Sequence, residues 1–298
     1  MICVGVDAGG TATVAAMSDG GGIVRESRGD AANATTAGVD AAADVMIRTV
    51  RAVLEGSAVD AVHVGAAGAG RAAVAAELRA RIEHAFPAAR VTLGDDAPIA
   101  LRAALDEGDG AVLVAGTGSV AYAERGTETR RVGGLGFLAG DEGSAYWIGW
   151  QAVKLYGRVL DGRASRDETT DLVARALDAP DRDRYLDALY GAPLAPSAIA
   201  ALAPIIIAFA GKGNRAATKI VQAASLELAD LVKAVLRAAG LLEESPPVVL
   251  AGGLFRENSL LTFLVETRLQ GDVPGIRVLK GGAEPVLGAL RCAERSLR

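Results

Sequence analysis

The sequence has few aromatic residues, cysteines and histidines. Aromatics make up 4% of its 298 residues, so the core must come mainly from the aliphatic part of the 51% apolar fraction. The two cysteines, Cys3 and Cys292, lie near opposite ends and form no C-x-x-C pair, so we expect buried thiols rather than a disulfide framework. The two histidines, His63 and His84, form no H-x-x-x-H pair, so we predict no zinc site.

Long apolar runs and an excess of positive charge are also missing. The longest apolar stretch, residues 198–210, is shorter than the about 18 residues of a membrane-spanning helix and contains a proline. The N-terminus enters a strand pattern at once, without a signal-peptide pattern. The net charge of −5 argues against a nucleic-acid surface. We therefore expect a cytoplasmic protein without nucleic-acid or membrane partners.

Two common nucleotide-binding signatures are absent. The segment Gly211-Lys212-Gly213-Asn214 does not fit the phosphate loop G-x-x-x-x-G-K-[ST]. Residues 65–70 read G-A-A-G-A-G rather than the dinucleotide signature G-x-G-x-x-G. A nucleotide site in this chain must therefore use other glycine turns.

Short β-branched runs alternate with helical spacing, which predicts an α/β fold. Predicted strands cover residues 2–7, 11–18, 23–27, 61–67, 91–93, 111–115, 120–124, 247–250 and 276–279. Predicted helices cover residues 39–53, 74–82, 97–105, 143–156, 168–177, 182–190, 197–210, 214–239 and 257–269, with a last helix from residue 284. The pattern restarts near Ala111, which suggests a duplicated domain, with a helical insert enlarging the second copy. We place the boundary at Gly108-Asp109-Gly110, giving domains 1–109 and 110–283.

Two predicted strands end in glycine turns that suit phosphate binding. Residues 4–11 read V-G-V-D-A-G-G-T, and residues 114–119 read V-A-G-T-G-S. Glycines let the backbone approach phosphate oxygens, and Thr11 adds a hydroxyl donor. Asp7 is a candidate Mg²⁺ acid, because Mg²⁺ takes oxygen ligands and keeps several waters; a structural turn acid is the alternative. The second turn is a weak signal alone, because many hairpin turns look similar.

Two acidic positions stand where predicted strands or glycine runs meet helices. Asp96 is a candidate general base for a substrate hydroxyl. The alternative is a helix N-cap, and Asp95 competes for either role. Asp141 and Glu142 follow the run Gly133-Gly134-Leu135-Gly136 and precede a helix. Adjacent acids beside such a permissive backbone favour a site, although one of them can also cap the helix.

Two further segments suit ligand contact. Gly252 and Gly253 end a predicted strand, and their bare backbone can lie against a flat base such as adenine. Tight helix–sheet packing is the alternative. Asn33 lies in a polar loop, residues 29–38, that can cover a substrate, although an Asn in such a loop is usually a turn residue.

Together these residues resemble the N-acetylglucosamine kinase branch of the BadF/BadG/BcrA/BcrD ATPase family, within the actin, hexokinase and Hsp70 superfamily. The resemblance covers nearly the whole chain, and its most specific segment is residues 140–147 with the Gly133-Gly134 lead-in. It implies two ribonuclease-H-like domains around a central cleft, with helix 284–298 packing back on the first. It also implies ATP and Mg²⁺ as cofactors and a small amino sugar as substrate, and it leaves homodimerisation open.

The resemblance also implies roles for single residues. Asp96 matches the base that acts on the sugar 6-hydroxyl, and Asp7 begins the first phosphate loop. The implied phosphate-loop and adenosine positions are Gly9, Gly10, Thr11, Gly116, Thr117, Gly118, Gly252 and Gly253. The implied sugar positions are Asn33, Asp96, Thr117, Gly118, Gly134, Asp141 and Ala145. The chain departs from the family pattern at Ala8, Ala12 and the Gly94-Asp95 lead-in, and none of these removes the base or the metal acid.

The function implied by the resemblance is an ATP-dependent kinase for the 6-hydroxyl of an amino sugar, N-acetylglucosamine or glucosamine. N-acetylmuramic acid and glucose stay open as substrates. One alternative is an ATPase activator that passes electrons to a dehydratase or reductase through an iron–sulfur cluster, which needs suitably placed thiolates. Another is a sugar-sensing regulator on a kinase scaffold.

Overall fold

The computed structural model describes residues 1–192, 194–281 and 284–298 and confirms the predicted α/β class. Its strands form two five-stranded sheets. The first sheet contains β1 (Cys3–Ala8), β2 (Thr13–Ser18), β3 (Ile23–Gly29), β4 (Ala61–Ala66) and β5 (Arg90–Gly94). The second sheet contains β6 (Gly110–Ala115), β7 (Ser119–Arg125), β8 (Glu128–Gly133), β9 (Pro247–Ala251) and β10 (Arg277–Lys280).

Helices account for most of the remaining described residues. The first four are α1 (Ala34–Ala37), α2 (Val39–Leu54), α3 (Ala72–Ala85) and α4 (Asp96–Ala104). The next four are α5 (Ala145–Leu160), α6 (Glu168–Ala176), α7 (Arg182–Tyr190) and α8 (Pro196–Ala200). The last four are α9 (Ala203–Gly211), α10 (Arg215–Ala239), α11 (Leu260–Asp272) and α12 (Pro285–Ser296).

The two sheets repeat one strand order. They read β3-β2-β1-β4-β5 and β10-β9-β6-β7-β8, so β6 to β10 take the places of β1 to β5 when the second order is reversed. This repeat confirms the duplication that the restart near Ala111 predicts. In the first sheet β2 is antiparallel to both neighbours, whereas β1, β4 and β5 are parallel. The carboxyl ends of these three strands therefore lie at one edge of the sheet, which is where ligands bind in open α/β sheets.

The chain divides into two compact units, Met1–Val112 with Gly281–Arg298, and Leu113–Lys280. The sequence-based bounds differ from these by a few residues, and the predicted end at residue 283 lies outside the described residues. Helix α12 belongs to the first unit and packs on β1 and α4. Close packing there requires glycine, because a Cβ added to Gly5 would overlap the Leu290 backbone and one added to Gly288 would overlap the Ile99 carbonyl.

The central strand β1 directs alternate side chains to opposite faces of the first sheet. Val4 belongs to a buried cluster with Met46 of α2 on one face. Cys3 is buried with Leu290 of α12 on the other face. By this alternation Asp7 points to the face that α12 covers.

Two predicted helices differ from the structure, and two elements were not predicted. The predicted helix over residues 197–210 is broken into α8 and α9, because Pro204 lacks an N–H group and restricts the residue before it. Strand β8 was missed because it is largely exposed and carries charged side chains instead of an apolar alternation. Helix α1 was missed because it is only 4 residues long. Helix α11 begins at Leu260, with Ser259 at its N-cap position, rather than at Glu257.

Within the described residues, no single helix has both the length and the hydropathy needed to cross a membrane. The segment Pro196–Gly211 followed by Arg215–Ala239 meets that test only when the two parts are combined, and they are bent by 112°.

Candidate active site

The first glycine turn joins β1 to β2. The Gly9 N–H donates to the Ala12 carbonyl oxygen at 2.9 Å, and the Gly9 carbonyl accepts from the Ala32 N–H at 3.1 Å. These bonds close the turn, while Gly10 and Thr11 are exposed. The predicted first phosphate loop is therefore a tight turn at the end of a buried strand, with backbone and a hydroxyl open to an anion.

One row across the first sheet brings the two candidate carboxylates to the same edge. Asp7 of β1 pairs with Gly65 of β4, and Gly65 pairs with Gly94 of β5. Asp96 follows Gly94 by two positions and begins α4. Because the other two members of the row are glycines, the row itself carries only the side chain of Asp7.

The environment of Asp7 disfavours its charge. Burial, and secondly the negative charge of Asp96, raise the pKa of Asp7 from 3.8 to about 6. Burial removes the water that would stabilise the carboxylate, and a nearby like charge adds repulsion. A divalent cation would relieve both effects, and carboxylate oxygens are ligands that Mg²⁺ prefers. The donor set of Asp7 and Asp96 therefore fits Mg²⁺.

The helix cap separates the roles of the adjacent acids Asp95 and Asp96. Asp95 is the N-cap of α4, and its Oδ1 accepts from the Ala97 N–H at 3.2 Å. Asp96 is the first residue of the helix. The alternative that Asp96 is the N-cap is therefore wrong, and its role as general base stays a prediction.

Asn33 lies beside the first glycine turn. It is the N-cap of α1, and its Oδ1 accepts from the Thr35 N–H at 2.9 Å. A Cβ added to Gly10 would lie 4.0 Å from the Asn33 Nδ2, and one added to Gly68 would lie 2.6 Å from its Oδ1. The oxygen thus has a structural partner, which is the turn-residue alternative, while the amide nitrogen lies near the glycine turn.

The second glycine turn joins β6 to β7 and is tied to the start of α5. The Gly116 N–H donates to the Gly118 carbonyl at 2.9 Å. The Ala145 N–H donates to the Gly116 carbonyl at 2.9 Å, and the Tyr146 N–H donates to the Thr117 carbonyl at 3.2 Å. Thr117 is exposed. Ala145 therefore contributes through its backbone, which holds the turn against the helix.

Asp141 packs against this second turn in an unusual conformation. Its Oδ1 accepts from the Ser119 N–H at 3.3 Å, and a Cβ added to Gly118 would lie 2.8 Å from its Oδ2. The residue is 9% exposed and has a φ of +60°, a left-handed conformation that costs energy for most side chains. Burial raises the pKa of Asp141, and the N–H groups of Ser119 and Gly136 oppose that rise.

The start of α5 is capped by a residue that the sequence analysis did not single out. Ser144 is the N-cap, and its Oγ accepts from the Trp147 N–H at 3.2 Å. The alternative that Asp141 or Glu142 caps this helix is therefore wrong. A serine just before a helical pattern is the usual sign of an N-cap and could have identified it.

Gly134 and Arg131 lie next to the same turn. Gly134 has a φ of +66°, is exposed, and donates its N–H to the Ser119 carbonyl at 2.9 Å. The Arg131 guanidinium lies over it, since a Cβ added to Gly134 would be 2.5 Å from the Arg131 Nη2. The positive charge of Arg131 also opposes the rise that burial causes in the pKa of Asp141. Sequence reasoning missed Arg131 because nothing predicted β8, which carries it.

The two glycines after β9 differ in their surroundings. Gly252 has a φ of +100°, and an added Cβ would overlap the Ala115 carbonyl at the end of β6. Gly253 is exposed, and no atom lies within 4 Å of its added Cβ. Close packing thus explains why residue 252 is a glycine. It packs against the end of strand β6, whereas the alternative in the sequence analysis was a helix–sheet contact. Gly253 is open to a ligand.

His63 and the two cysteines lie in strands and helices of the first unit. His63 is buried, its Nδ1 lies 2.8 Å from the Thr92 Oγ1, and burial lowers its pKa to about 4. Cys3 is buried in β1, and Cys292 is half-buried in α12. Among the described residues, no group of three or more His, Cys, Asp or Glu side chains is arranged to hold a metal ion.

The structure thus gathers the predicted residues into sets. In the first unit Asp7, Gly9, Gly10, Thr11, Asn33 and Asp96 lie at or near one edge of the sheet. In the second unit the Gly116–Gly118 turn is in contact with Asp141 and Ala145, and Gly252 contacts the strand that leads into that turn.

Comparison with known proteins identifies the family. The model of the BadF/BadG/BcrA/BcrD ATPase family matches residues 4–293. The chain belongs to this family. Membership in an ATPase family implies the use of ATP.

Two relatives are identical to this chain at about a quarter of the aligned residues. An N-acetylmuramic acid/N-acetylglucosamine kinase of Clostridium acetobutylicum is 26% identical over 232 residues, which are 77% of this chain and 76% of the relative. An N-acetyl-D-glucosamine kinase of Dictyostelium discoideum is 27% identical over 191 residues, which are 63% of this chain and 60% of the relative.

Solved structures show the same fold. A protein from Chromobacterium violaceum, provisionally named an N-acetylglucosamine kinase, superposes with a TM-score of 0.77 at 24% identity, covering 97% of both chains. A ROK hexokinase from Thermus thermophilus superposes with a TM-score of 0.56 at 20% identity, covering 100% of this chain and 99% of the other. At these identities the likeness establishes the fold alone, which is the two-domain actin-like ATPase fold.

Proposed function

We propose that this chain is an ATP-dependent kinase that phosphorylates the 6-hydroxyl of an amino sugar, N-acetylglucosamine or glucosamine. The names of the two relatives supply the substrate class. The observation within the chain that carries the proposal is the pair Asp7 and Asp96 at the edge where three parallel strands end. A kinase needs an acid to hold a metal ion and a base near the accepting hydroxyl, and this pair supplies both.

Asp96 is the proposed general base. It would accept the proton of the sugar 6-hydroxyl as that oxygen attacks the terminal phosphorus of ATP. Its place at the first position of α4 is set by Asp95, which caps the helix. The cap fixes the backbone that carries Asp96, so Asp96 itself is not required as the N-cap.

Asp7 is the proposed Mg²⁺ acid, held directly or through water. Its raised pKa is the property that a bound cation would reverse. When bound, Mg²⁺ would neutralise charge on the phosphate oxygens. The turn of Gly9, Gly10 and Thr11 adds backbone N–H groups and a hydroxyl toward the same phosphates.

The second unit would supply the other phosphate loop, sugar contacts and the adenosine surface. The Gly116–Gly118 turn is held by α5 and by Asp141, so its exposed backbone is positioned before a ligand arrives. Asp141 would accept hydrogen bonds from sugar hydroxyls, beside Gly134 and Ala145. Gly253 would lie against adenine.

No observation favours the electron-transfer activator. That function requires thiolate ligands, but Cys3 is buried and its pKa is raised first of all by that burial. Nothing in the chain favours a sugar-sensing regulator over an enzyme, because both proposed catalytic acids are present.

The test is ADP release, measured with a coupled assay over N-acetylglucosamine, glucosamine, N-acetylmuramic acid and glucose. We expect ADP release that depends on Mg²⁺ and rises with an amino sugar. ADP release that is the same with and without every sugar would contradict the proposal.

A further inference from the structure

A groove in the second unit carries charge opposite to that of the whole chain. It has a volume of about 1110 Å³ and is lined by α5, the turn of residues 161–167, α10 and Tyr185. The cationic lining residues are Lys154, Arg158, Arg163, Arg166, Arg215 and Lys219, and the acidic ones are Asp161 and Asp167. Six cations against two acids leave an excess of four positive charges, in a chain whose net charge is −5.

Four of these six cations form no close ion pair, although the charge of Arg158 adds to the hydrogen bond from Arg163 in lowering the pKa of Asp161. Arg163 forms an ion pair with Asp161, and Arg166 forms one with Asp171. Across the part of the chain that the structure describes, the remaining four side chains form no ion pair, and all four are exposed: Lys154, Arg158, Arg215 and Lys219. The unpaired charges are therefore concentrated on the two helices that line the groove.

The spacing of these charges is unfavourable for the helices themselves. Lys154 and Arg158 are four residues apart on α5, and Arg215 and Lys219 are four residues apart on α10, so each pair shares one helix face. Like charges at this spacing repel each other. Arg215 also lies in the first turn of α10, where the helix dipole disfavours a cation. A bound anion would relieve all three repulsions.

The groove also has apolar surface. Ile220 is buried, and Trp147 and Leu155 are half-buried in its lining. The volume is close to that of small-molecule sites, which span about 300–1000 Å³. Lys and Arg are the side chains that bind phosphate groups in proteins. We propose that this groove binds a small organic molecule carrying two or more phosphate groups, with the four unpaired cations as its phosphate ligands.

The groove is distinct in its residues from the predicted nucleotide and sugar sites, but it shares α5 with them. Trp147, in the first turn of α5, lines the groove. Its neighbours Ala145 and Tyr146 donate hydrogen bonds to the second glycine turn. Binding in the groove therefore has a direct structural connection to that turn, although it does not depend on the proposed kinase reaction.

The test uses inorganic pyrophosphate as the probe, with titration calorimetry at low ionic strength and without Mg²⁺. The groove variant is Lys154→Gln with Lys219→Gln, one change on each helix. The control variant is Arg48→Gln with Arg237→Gln, which removes the same charge from exposed positions outside the groove. Because the groove changes remove like-charge repulsion, the variant should be at least as resistant to thermal unfolding as the wild type.

We expect the dissociation constant for pyrophosphate to rise about 100-fold in the groove variant, since two cations are removed and each charge-assisted hydrogen bond contributes about one factor of ten. The control should match the wild type within about 2-fold, the change expected from net charge alone. Hydrogen exchange should show protection in residues 147–167 and 215–223. Pyrophosphate bound only at the glycine turns would leave the groove variant unaffected and would overturn the proposal, as would an absence of binding. Citrate that binds as tightly as pyrophosphate would overturn the assignment to phosphate.

Discussion

The two units repeat one strand order but place their acids differently. In the first unit Asp7 lies on the opening strand, immediately before Ala8 and Gly9. In the second unit Val114 stands at the matching place, before Ala115 and Gly116. The acid at the second turn is Asp141, which comes from the segment between β8 and α5.

This difference shows that the shared framework supplies a glycine turn, whereas the chemistry depends on which segment brings the acid. The pKa of Asp7 is raised by burial and by a second carboxylate, which suits cation and proton chemistry. Asp141 accepts backbone N–H bonds, which suits positioning and recognition. The predictions below separate these two kinds of acid, beginning with the largest expected effect.

Asp96→Asn should lower sugar-dependent turnover by about 10²–10⁴-fold, the usual loss when a general base is removed. Folding and ATP binding should be retained. The matched control is Asp95→Asn, because asparagine caps helices as well as aspartate does. If Asp96→Asn kept near wild-type turnover, measured by ADP release, Asp96 would not be the general base.

Asp7→Ala should weaken Mg²⁺-dependent turnover more than it weakens sugar affinity. The reason is that Asp7 adjoins the proposed first phosphate loop and is not itself one of the proposed sugar positions. Calorimetry with the sugar and a turnover assay over a range of Mg²⁺ concentrations check this. A parallel collapse of sugar affinity would count against the assignment.

Asp141→Ala should weaken sugar binding by about 10-fold or more, since hydrogen bonds to a charged group contribute about 1.5–3 kcal/mol each. Asp141→Asn is the cleaner variant, because asparagine tolerates the left-handed conformation that alanine does not. Nucleotide affinity measured without sugar should change little. If nucleotide affinity falls and sugar affinity persists, Asp141 only fastens the glycine turn.

Gly253→Ala and Gly252→Ala should have opposite signatures. Gly253 is open, so its variant should keep wild-type stability and bind nucleotide several-fold more weakly, by about 1 kcal/mol if a methyl group meets the base. Gly252 lies against the Ala115 carbonyl with a positive φ, so its variant should lower the free energy of unfolding. Thermal unfolding with and without ADP measures both; unchanged nucleotide affinity in Gly253→Ala would place the base elsewhere.

Without metal, the Asp7→Asn variant should be more stable than the wild type, and the difference in the free energy of unfolding should grow as the pH rises. The folded-state pKa of about 6 exceeds the usual 3.8, so the wild type loses stability between those two values. The loss is at most about 3 kcal/mol, and about 1–2 after allowance for partial solvent screening. The variant should therefore match the wild type near pH 4 and exceed it at pH 7 in urea unfolding. Added Mg²⁺ should stabilise only the wild type; equal stabilisation of both would contradict a metal at Asp7.

Local patterns were enough to predict the fold class and the duplication, because buried strands and amphipathic helices each have a characteristic spacing of apolar residues. The two glycine turns could also be predicted, since Gly9 and Gly116 each follow a run of apolar residues that forms a buried strand. Strand β8 could not be predicted from the sequence, because its residues are largely exposed and charged and do not alternate between apolar and polar. Its pairing with β7 stabilises it instead.

The detailed site was less predictable because it depends on contacts between distant segments. The choice between Asp95 and Asp96 as cap follows from backbone geometry at one peptide unit. The contact of Asp141 with Ser119 joins residues 22 positions apart. The basic groove was invisible for the same reason, since Lys154 and Lys219 come together only when α5 and α10 pack.

The central claim is that the paired acids of the first unit serve phosphoryl transfer to a sugar hydroxyl. The most direct measurement is the ³¹P NMR spectrum of the reaction with ATP, Mg²⁺ and N-acetylglucosamine. The account predicts ADP and one new phosphomonoester signal coupled to the two protons of the sugar 6-methylene. Release of inorganic phosphate alone, or a phosphate coupled to the anomeric proton, would contradict it.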